Sequence, residues 1–319
     1  MSEFVLRRHP TIGFDVGGTN IRAVLVNAAG DVLSSSHRRR ASDPADMVEA
    51  MVEMVEELAA GSAEPIAAVG VGMAGIVDGE GVVRTSPNIP TLKHFPIRAR
   101  LEDRLNLPII ADNDGTTAAW AEAATGAGVG YDDVILVALG TGIGGGLVID
   151  GEVRRGTSGF AGEIGHMIVD PAGPRCVCGR TGCWERFGSG TALGNQSRAA
   201  ARAGRAPALL ALAAGNPEDV QGEHLSELIA AGDADALGIL EEFGRHVAVG
   251  LNNLVNIVDP AIVIIGGGLA EIGAPLIEAI RAGYADIMVD IEVRDSLPIV
   301  AAAHGGLAGS LGAALLAGE

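Results

Sequence analysis

The sequence predicts an α/β protein, on three observations. Apolar runs of strand length alternate with segments whose apolar residues recur at helical spacing. A strand, a glycine-rich turn and a second strand follow one another twice, near Asp15 and near Thr141. Glycine supplies 47 of 319 residues, about twice the usual ~7 %. It has no three-residue period, and 48 % of the chain is hydrophobic, which excludes collagen and disorder. Glycine at this level points to tight turns and close backbone approaches.

The elements read as follows. Residues 11–15, 21–26 and 32–36 are strands of an antiparallel meander, turning at Ala28-Ala29-Gly30-Asp31. Met47, Met51, Met54, Val55 and Leu58 lie at helical spacing, so 45–60 is a helix, with Asp43 as its cap and Pro44 in its first turn. A buried strand (66–73), a helix (97–105), a strand (107–111) and a helix (116–124) come next. A second block opens with a strand at 134–139, the run Gly140-Thr141-Gly142-Ile143-Gly144-Gly145-Gly146, and a hairpin of 147–149 with Val153 turning at Asp150-Gly151. Residues 190–258 are helical, 262–265 a strand running into Gly266-Gly267-Gly268, and a helix starts near Pro275. A strand at 297–301 and a helix at 306–317 close the chain. No Pro/Ser-rich linker interrupts it. Two domains are therefore expected to join directly: a small lobe over 1–114 completed by 304–319, and a large lobe over 115–303.

Lys and Arg number 22 against 40 Asp and Glu, a formal charge of −18. That argues against nucleic acid or an anionic membrane as partner, since both need a basic footprint. No signal-peptide core and no apolar run of about 18–20 residues is present, so a cytoplasmic protein is expected. The three cysteines fall within eight residues. An odd number in a reducing compartment does not make a disulfide framework.

Five clusters carry chemistry. Asp15-Val16-Gly17-Gly18-Thr19-Asn20 ends a strand in a turn whose backbone N–H groups can reach phosphate oxygens; Asp15 fits a Mg²⁺ beside that phosphate or, alternatively, a hairpin cap. Gly140 to Gly146 repeats the logic, and two matched turns suit one polyphosphate. Gly266-Gly267-Gly268 suits close approach of an adenosine or a plain strand-to-helix turn. No G-x-x-x-x-G-K-[ST] sequence is present, which excludes a P-loop. Asn113 and Asp114 stand where a strand meets a helix: Asp114 fits a general base and Asn113 a hydroxyl ligand, although local sequence alone favours helix capping. Cys176, Cys178 and Cys183, with His166 upstream, have the spacing of a closed Cys₃His zinc site of structural type. Glu163 and Glu185 flank it, either as surface charge or as ligands for sugar hydroxyls, and the second ring nitrogen of His166 needs a partner that a substrate hydroxyl can supply.

Together these residues resemble the ROK family (repressors, open reading frames, kinases) of the sugar kinase/actin/heat-shock superfamily, nearly end to end. Asp15-x-Gly17-Gly18-Thr19-Asn20 is similar to its first phosphate motif, Asn113-Asp114 to its catalytic dipeptide, and Leu139-Gly140-Thr141-Gly142-x-Gly144-Gly145 to its second phosphate motif. Glu163-x-Gly165-His166 with Cys176-x-Cys178-Gly179-x-x-Gly182-Cys183-x-Glu185 resembles its zinc-loop signature, and Asp259-Pro260 with Ile264-Ile265-Gly266-Gly267-Gly268 its adenosine region. Gly182-Cys183-Trp184-Glu185 and Ser189-Gly190-x-Ala192-Leu193 are most similar to the bacterial ATP-dependent glucokinase subgroup. Asp112-Asn113-Asp114-Gly115-Thr116 departs from the frequent Glu-Asn-Asp-Ala-Asn, and Asn20 stands where Lys is also common.

The resemblance implies two actin-like (ribonuclease H-like) α/β lobes with a ligand cleft between them, commonly as a homodimer or dimer of dimers. It implies transfer of phosphate from ATP to the 6-hydroxyl of a hexose, glucose first, with N-acetylglucosamine, mannose or fructose as alternatives. Asp114 would be the base. Asn113, Glu163, His166 and Glu185 would bind ring hydroxyls, with Gly75 and Asn88. Gly17, Gly18, Thr19, Asn20, Gly140, Thr141, Gly142, Gly144, Gly145, Gly266, Gly267 and Gly268 would hold ATP. Asp15 would bind Mg²⁺, and His166, Cys176, Cys178 and Cys183 would bind zinc. A sugar-responsive repressor, the family's other class, is not expected: only 14 residues precede Asp15, and the charge has the wrong sign for DNA.

Overall fold

The structure, a computed structural model, describes residues 9–288 and 296–319. The meander is β1 (Thr11–Val16), β2 (Asn20–Val26) and β3 (Val32–Arg39), followed by α1 (Pro44–Ala60) and β4 (Ala68–Met73). A small hairpin, β5 (Ile76–Val77) and β6 (Val83–Thr85), precedes α2 (Ile97–Leu105), β7 (Ile109–Asn113) and α3 (Asp114–Thr125). Then come β8 (Val134–Leu139), β9 (Ile143–Ile149) and β10 (Glu152–Val153). The helical region contains α4 (Glu185–Gly188), α5 (Gly190–Arg202), α6 (Pro207–Leu212), α7 (Gly222–Ala230) and α8 (Ala234–Val258). β11 (Ile262–Gly266), α9 (Ala274–Ile287), β12 (Ile299–Ala301) and α10 (Ala308–Ala317) complete it. One sheet has the order β3-β2-β1-β4-β7 and the other β10-β9-β8-β11-β12.

The chain divides into two compact units, one of the residues up to Leu136 with Gly145–Gly162 and Ala303–Glu319, the other of Val137–Gly144 with Glu163–Ala302. Thus α3 falls in the first unit, past the boundary expected at residue 114, because it packs on α10 and β4. The chain re-enters the first unit at Ala303. Among the described residues no helix is long and apolar enough to cross a membrane.

In the first unit β1 runs antiparallel to β2 and parallel to β4, which is parallel to β7. Alternation along β1 sends Ile12, Phe14 and Val16 to one face, where they join Met47, Met51 and Met54 of α1 in a fully buried core. The helix starts as the sequence predicts, with the Asp43 carboxylate accepting from the N–H of Ala45 at 2.7 Å. Gly13 faces the other way, towards α10. A β-carbon at Gly13 would collide with Ser310 and Ala314, and one at Gly70 with the Ala313 carbonyl. Gly312 meets the Thr117 carbonyl of α3 in the same fashion. The last helix therefore sits on the strands at backbone distance, which explains glycines that no ligand motif claims. In the second unit α8 and α9 pack closely through Gly244 against Ala279 and Gly283 against Arg245.

Candidate active site

Within the first unit, β1 delivers Asp15 to the sheet's carboxyl end, opposite Arg22 on β2. Its Oδ2 lies 3.8 Å from Arg22 Nη1. Burial pushes the Asp15 carboxyl up and Arg22 opposes the shift. The following turn is closed by the Gly17 N–H donating to the Asn20 carbonyl at 3.0 Å. Arg40, just past β3, holds this turn from behind. Its backbone N–H donates to the Thr19 carbonyl at 2.8 Å. Its Nε and Nη2 both donate to the Gly18 carbonyl, at 3.0 and 2.8 Å, and Nη1 donates to Ala41 at 2.6 Å. The exposed Asn88 lies against Gly18, where an added β-carbon would come within 3.3 Å of the Asn88 side chain.

At the end of β7, Asn113 is the N-cap of α3: its Oδ1 accepts from the N–H groups of Gly115 (2.8 Å) and Thr116 (3.1 Å). Its Nδ2 donates to the Gly75 carbonyl at 2.9 Å. Asn113 thus caps α3 and at the same time ties the Gly75 backbone to the end of β7. Asp114 occupies the first turn of α3, where the helix dipole favours a negative charge, and its Oδ1 accepts from the Gly115 N–H at 2.9 Å. Asp112, 4 % exposed, accepts from Arg155 Nε at 2.5 Å and from the Asn113 N–H at 2.9 Å. Burial raises its carboxyl and Arg155 counteracts this. Ile143 to Gly146 form part of β9 and not a loop. Gly115 meets the Gly145 carbonyl and Gly146 meets Gly115, so these glycines let helix α3 lie on the strand.

In the second unit, the Gly140 N–H donates to the Gly142 carbonyl at 3.0 Å. The Gly140 carbonyl accepts from the Gly190 N–H at 2.7 Å, and the Thr141 carbonyl from the Thr191 hydroxyl at 2.7 Å. A β-carbon added at Gly140 or Gly268 would meet no atom within 4 Å. Gly267 differs. It has φ +80°, and a β-carbon there would strike the Leu139 backbone, so packing alone demands glycine.

The same unit brings His166, Cys176, Cys178 and Cys183 together, with one ligand atom from each inside 4.8 Å. Cys178 Sγ and Cys183 Sγ are 3.5 Å apart, and Cys176 Sγ is 3.8 Å from His166 Nδ1. Tetrahedral zinc with Zn–S ~2.3 Å spaces its ligands at roughly 3.7 Å, so the donor set and spacing fit zinc. Burial alone would raise the Cys178 thiol, but the backbone N–H at Arg180 and the neighbouring thiols bring it down to about 6, favouring the thiolate that metal binding needs. Nδ1 of His166 faces the thiols, while Nε2 faces Glu163 Oε2 at 3.9 Å. Burial raises the Glu163 carboxyl, with His166 opposing and Glu185 adding to the shift. Glu185 Oε1 accepts from the Cys176 thiol at 2.9 Å, and its other oxygen lies against Gly142. Trp184, fully buried, anchors this loop: its Nε1 donates to the His246 carbonyl at 3.1 Å and its ring lies on Gly250 of α8.

The model of the ROK family matches residues 11–319. The chain belongs to the ROK family. Its curated relatives include a protein named glucokinase from Streptomyces coelicolor, 39 % identical over 97 % of this chain and 98 % of its own length. An N-acetylmannosamine kinase of Escherichia coli is 34 % identical over 96 % of this chain and 98 % of its own. The crystal structure of a ROK family glucokinase from Streptomyces griseus, in complex with glucose and AMPPNP, superposes with a TM-score of 0.85 at 38 % identity, covering 97 % of this chain and 99 % of that one. The two α/β units are accordingly those of the actin-like fold, and the chain is a hexokinase-type kinase.

Within this ROK kinase, the first unit gathers Asp15, Gly17 to Asn20, Asn88, Gly75, Asn113 and Asp114. The second gathers Gly140 to Gly142, Gly266 to Gly268, Glu163, His166, Glu185 and the thiols. Arg40, Thr191, Arg155 and the Trp184 anchor escaped the sequence reading. Arg40 ends the run His37-Arg38-Arg39-Arg40, which locally reads as a solvated edge strand, and only strand register reveals its partner.

Proposed function

We propose that this protein transfers the terminal phosphoryl group of ATP to the 6-hydroxyl of glucose. The observation that carries this reading is the pair of glycine turns, each with its carbonyls tied back by donors, in a chain similar over its length to sugar kinases. Phosphoryl transfer has a loose transition state, so positioned amides and charge neutralisation do most of the work. Gly17, Gly18, Thr19 and Asn20 with Gly140, Thr141, Gly142, Gly144 and Gly145 hold phosphates, and Gly266, Gly267 and Gly268 face the adenosine. Asp15 binds Mg²⁺, which when bound neutralises phosphate charge.

Asp114 takes the proton from the 6-hydroxyl. Asn113 has committed Oδ1 and one Nδ2 hydrogen to the backbone, so its second Nδ2 hydrogen meets a ring hydroxyl. Glu163, His166 Nε2, Glu185, Gly75 and Asn88 bind the others. His166 Nδ1 and the sulfurs of Cys176, Cys178 and Cys183 would hold a zinc ion, which would fix the loop. Taking the Cys176 sulfur as thiolate ends its bond to Glu185 and frees that oxygen for sugar. Three free cysteines accord with a cytoplasmic enzyme. Val249 and Ile257, exposed on α8, support a homodimer, or a dimer of dimers, which sedimentation tests. A coupled assay over a hexose panel, with ATP and polyphosphate as donors, tests the function. Glucose with ATP is expected to give the highest kcat/KM. Preference for an N-acetylated hexose, as the Escherichia coli relative's name suggests, would replace the substrate, and no turnover with any hexose would refute the reading.

A further inference from the structure

The structure assigns Arg40 a positioning role in nucleotide binding: it fixes the first glycine turn from behind, so that the Thr19 amide is presented to a phosphate. All three guanidinium nitrogens are spent on backbone carbonyls, two of them on Gly18. The Gly18–Thr19 peptide is planar and trans, so a carbonyl held towards Arg40 turns the Thr19 N–H to the opposite side. That side is the one away from the protein donor, where an anion can be met. Without the tie the peptide can rotate, and the Gly18 carbonyl can then face the phosphate and repel it.

A second observation points the same way. Among the described residues no carboxylate lies within ion-pair distance of Arg40, whereas neighbouring Arg38 is paired to Glu53 and Glu57. Carbonyls do not cancel a charge, so in a chain of net −18 Arg40 leaves a uncompensated cation directly behind the turn. The second turn does the same job with neutral groups, the Gly190 N–H and the Thr191 hydroxyl. The cationic tie thus belongs to one turn only. Lysine cannot reproduce it, because one ammonium lacks the planar fork that holds Gly18 twice while reaching Ala41.

The inference rests on the kinase reading, and its test uses binding as well as turnover. Mg²⁺–AMPPNP and glucose are titrated separately by calorimetry into wild type, R40A, R40K and, as a charge-matched control, R39A, whose side chain is exposed on β3. R40A is expected to bind AMPPNP about tenfold more weakly, with R40K intermediate, from the loss of charged hydrogen bonds. Glucose affinity and the unfolding temperature should stay at wild-type values, and KM for ATP should rise more than kcat falls. R39A should bind AMPPNP like wild type. Unchanged AMPPNP affinity in R40A overturns the role. So does a joint loss of glucose affinity and stability, which marks a merely structural residue, or an equal loss in R39A, which marks net charge alone. A wild type that binds AMPPNP yet phosphorylates no hexose refutes the kinase reading while leaving the R40A comparison decisive; one that binds no AMPPNP overturns both.

Discussion

Gly250→Ala is a substitution on a helix, far in sequence from every proposed sugar ligand, and it should damage sugar binding. The added methyl overlaps the five- and six-membered rings of Trp184, which is fully buried and has nowhere to retreat. Overpacking of this kind costs about 1–3 kcal/mol. Displacing the indole also strains its hydrogen bond to His246, worth about 1 kcal/mol. Alanine returns at most about 1 kcal/mol of helix propensity. The net expectation is destabilisation by about 1–3 kcal/mol, or a fall of several degrees in Tm at about 2–4 °C per kcal/mol. Glu185 follows Trp184 directly, so the ring's shift moves a proposed sugar ligand, and glucose KM should rise about tenfold or more with ATP KM nearly unchanged. Differential scanning calorimetry and a coupled assay read both. Gly250→Ala combined with Trp184→Phe, a smaller ring, should recover part of the Tm. A single variant with wild-type Tm and glucose KM would refute the account of Trp184 as the loop's anchor.

Asp114→Asn should lower kcat by about 10²–10⁴-fold, the usual share of a general base, while calorimetry still detects glucose; near-normal turnover would remove Asp114 from that role. Cys178→Ser should reduce zinc measured by elemental analysis and raise glucose KM, leaving AMPPNP affinity intact. The Glu163 carboxyl is raised by burial, so it protonates at a higher pH than an ordinary carboxylate as pH falls. Glucose KM should therefore climb on the acidic side beginning above the usual carboxylate range, and Glu163→Gln should have a uniformly high KM without that limb. A wild-type KM flat down to ordinary carboxylate values would contradict this.

Local pattern carried much of the structure. The β1–β3 meander, the Asp43–Pro44 start of α1, α2 at Ile97–Leu105 and β8 at Val134–Leu139 all follow from period, caps and turns. So does the gathering of His166 with the three thiols, since metal spacing is written in a short stretch. What local pattern missed depends on distant neighbours. Ile143-Gly144-Gly145-Gly146 reads as loop because glycine is a poor strand former, yet the run is a strand, and α3 lies against Gly146 and leaves no room for a side chain there. The hairpin of β5 and β6 is too short to show a period. Arg40 and Arg155 look like surface cations until the fold shows which carbonyl or carboxylate each reaches.

The seat of α10 on β1 and β4 has a consequence for the order of events during synthesis. The Thr11 hydroxyl donates to the Ala314 carbonyl across 303 positions of sequence, and the strands that end in Val16 and Met73 have one face of small residues shaped for that helix. Until residues 308–317 have left the ribosome, this face has only water to meet. Such distant pairing closes late and slowly. The first glycine turn, although translated long before that helix, can gain its final rigidity only after the helix docks, and a nascent chain should depend on chaperones through that interval.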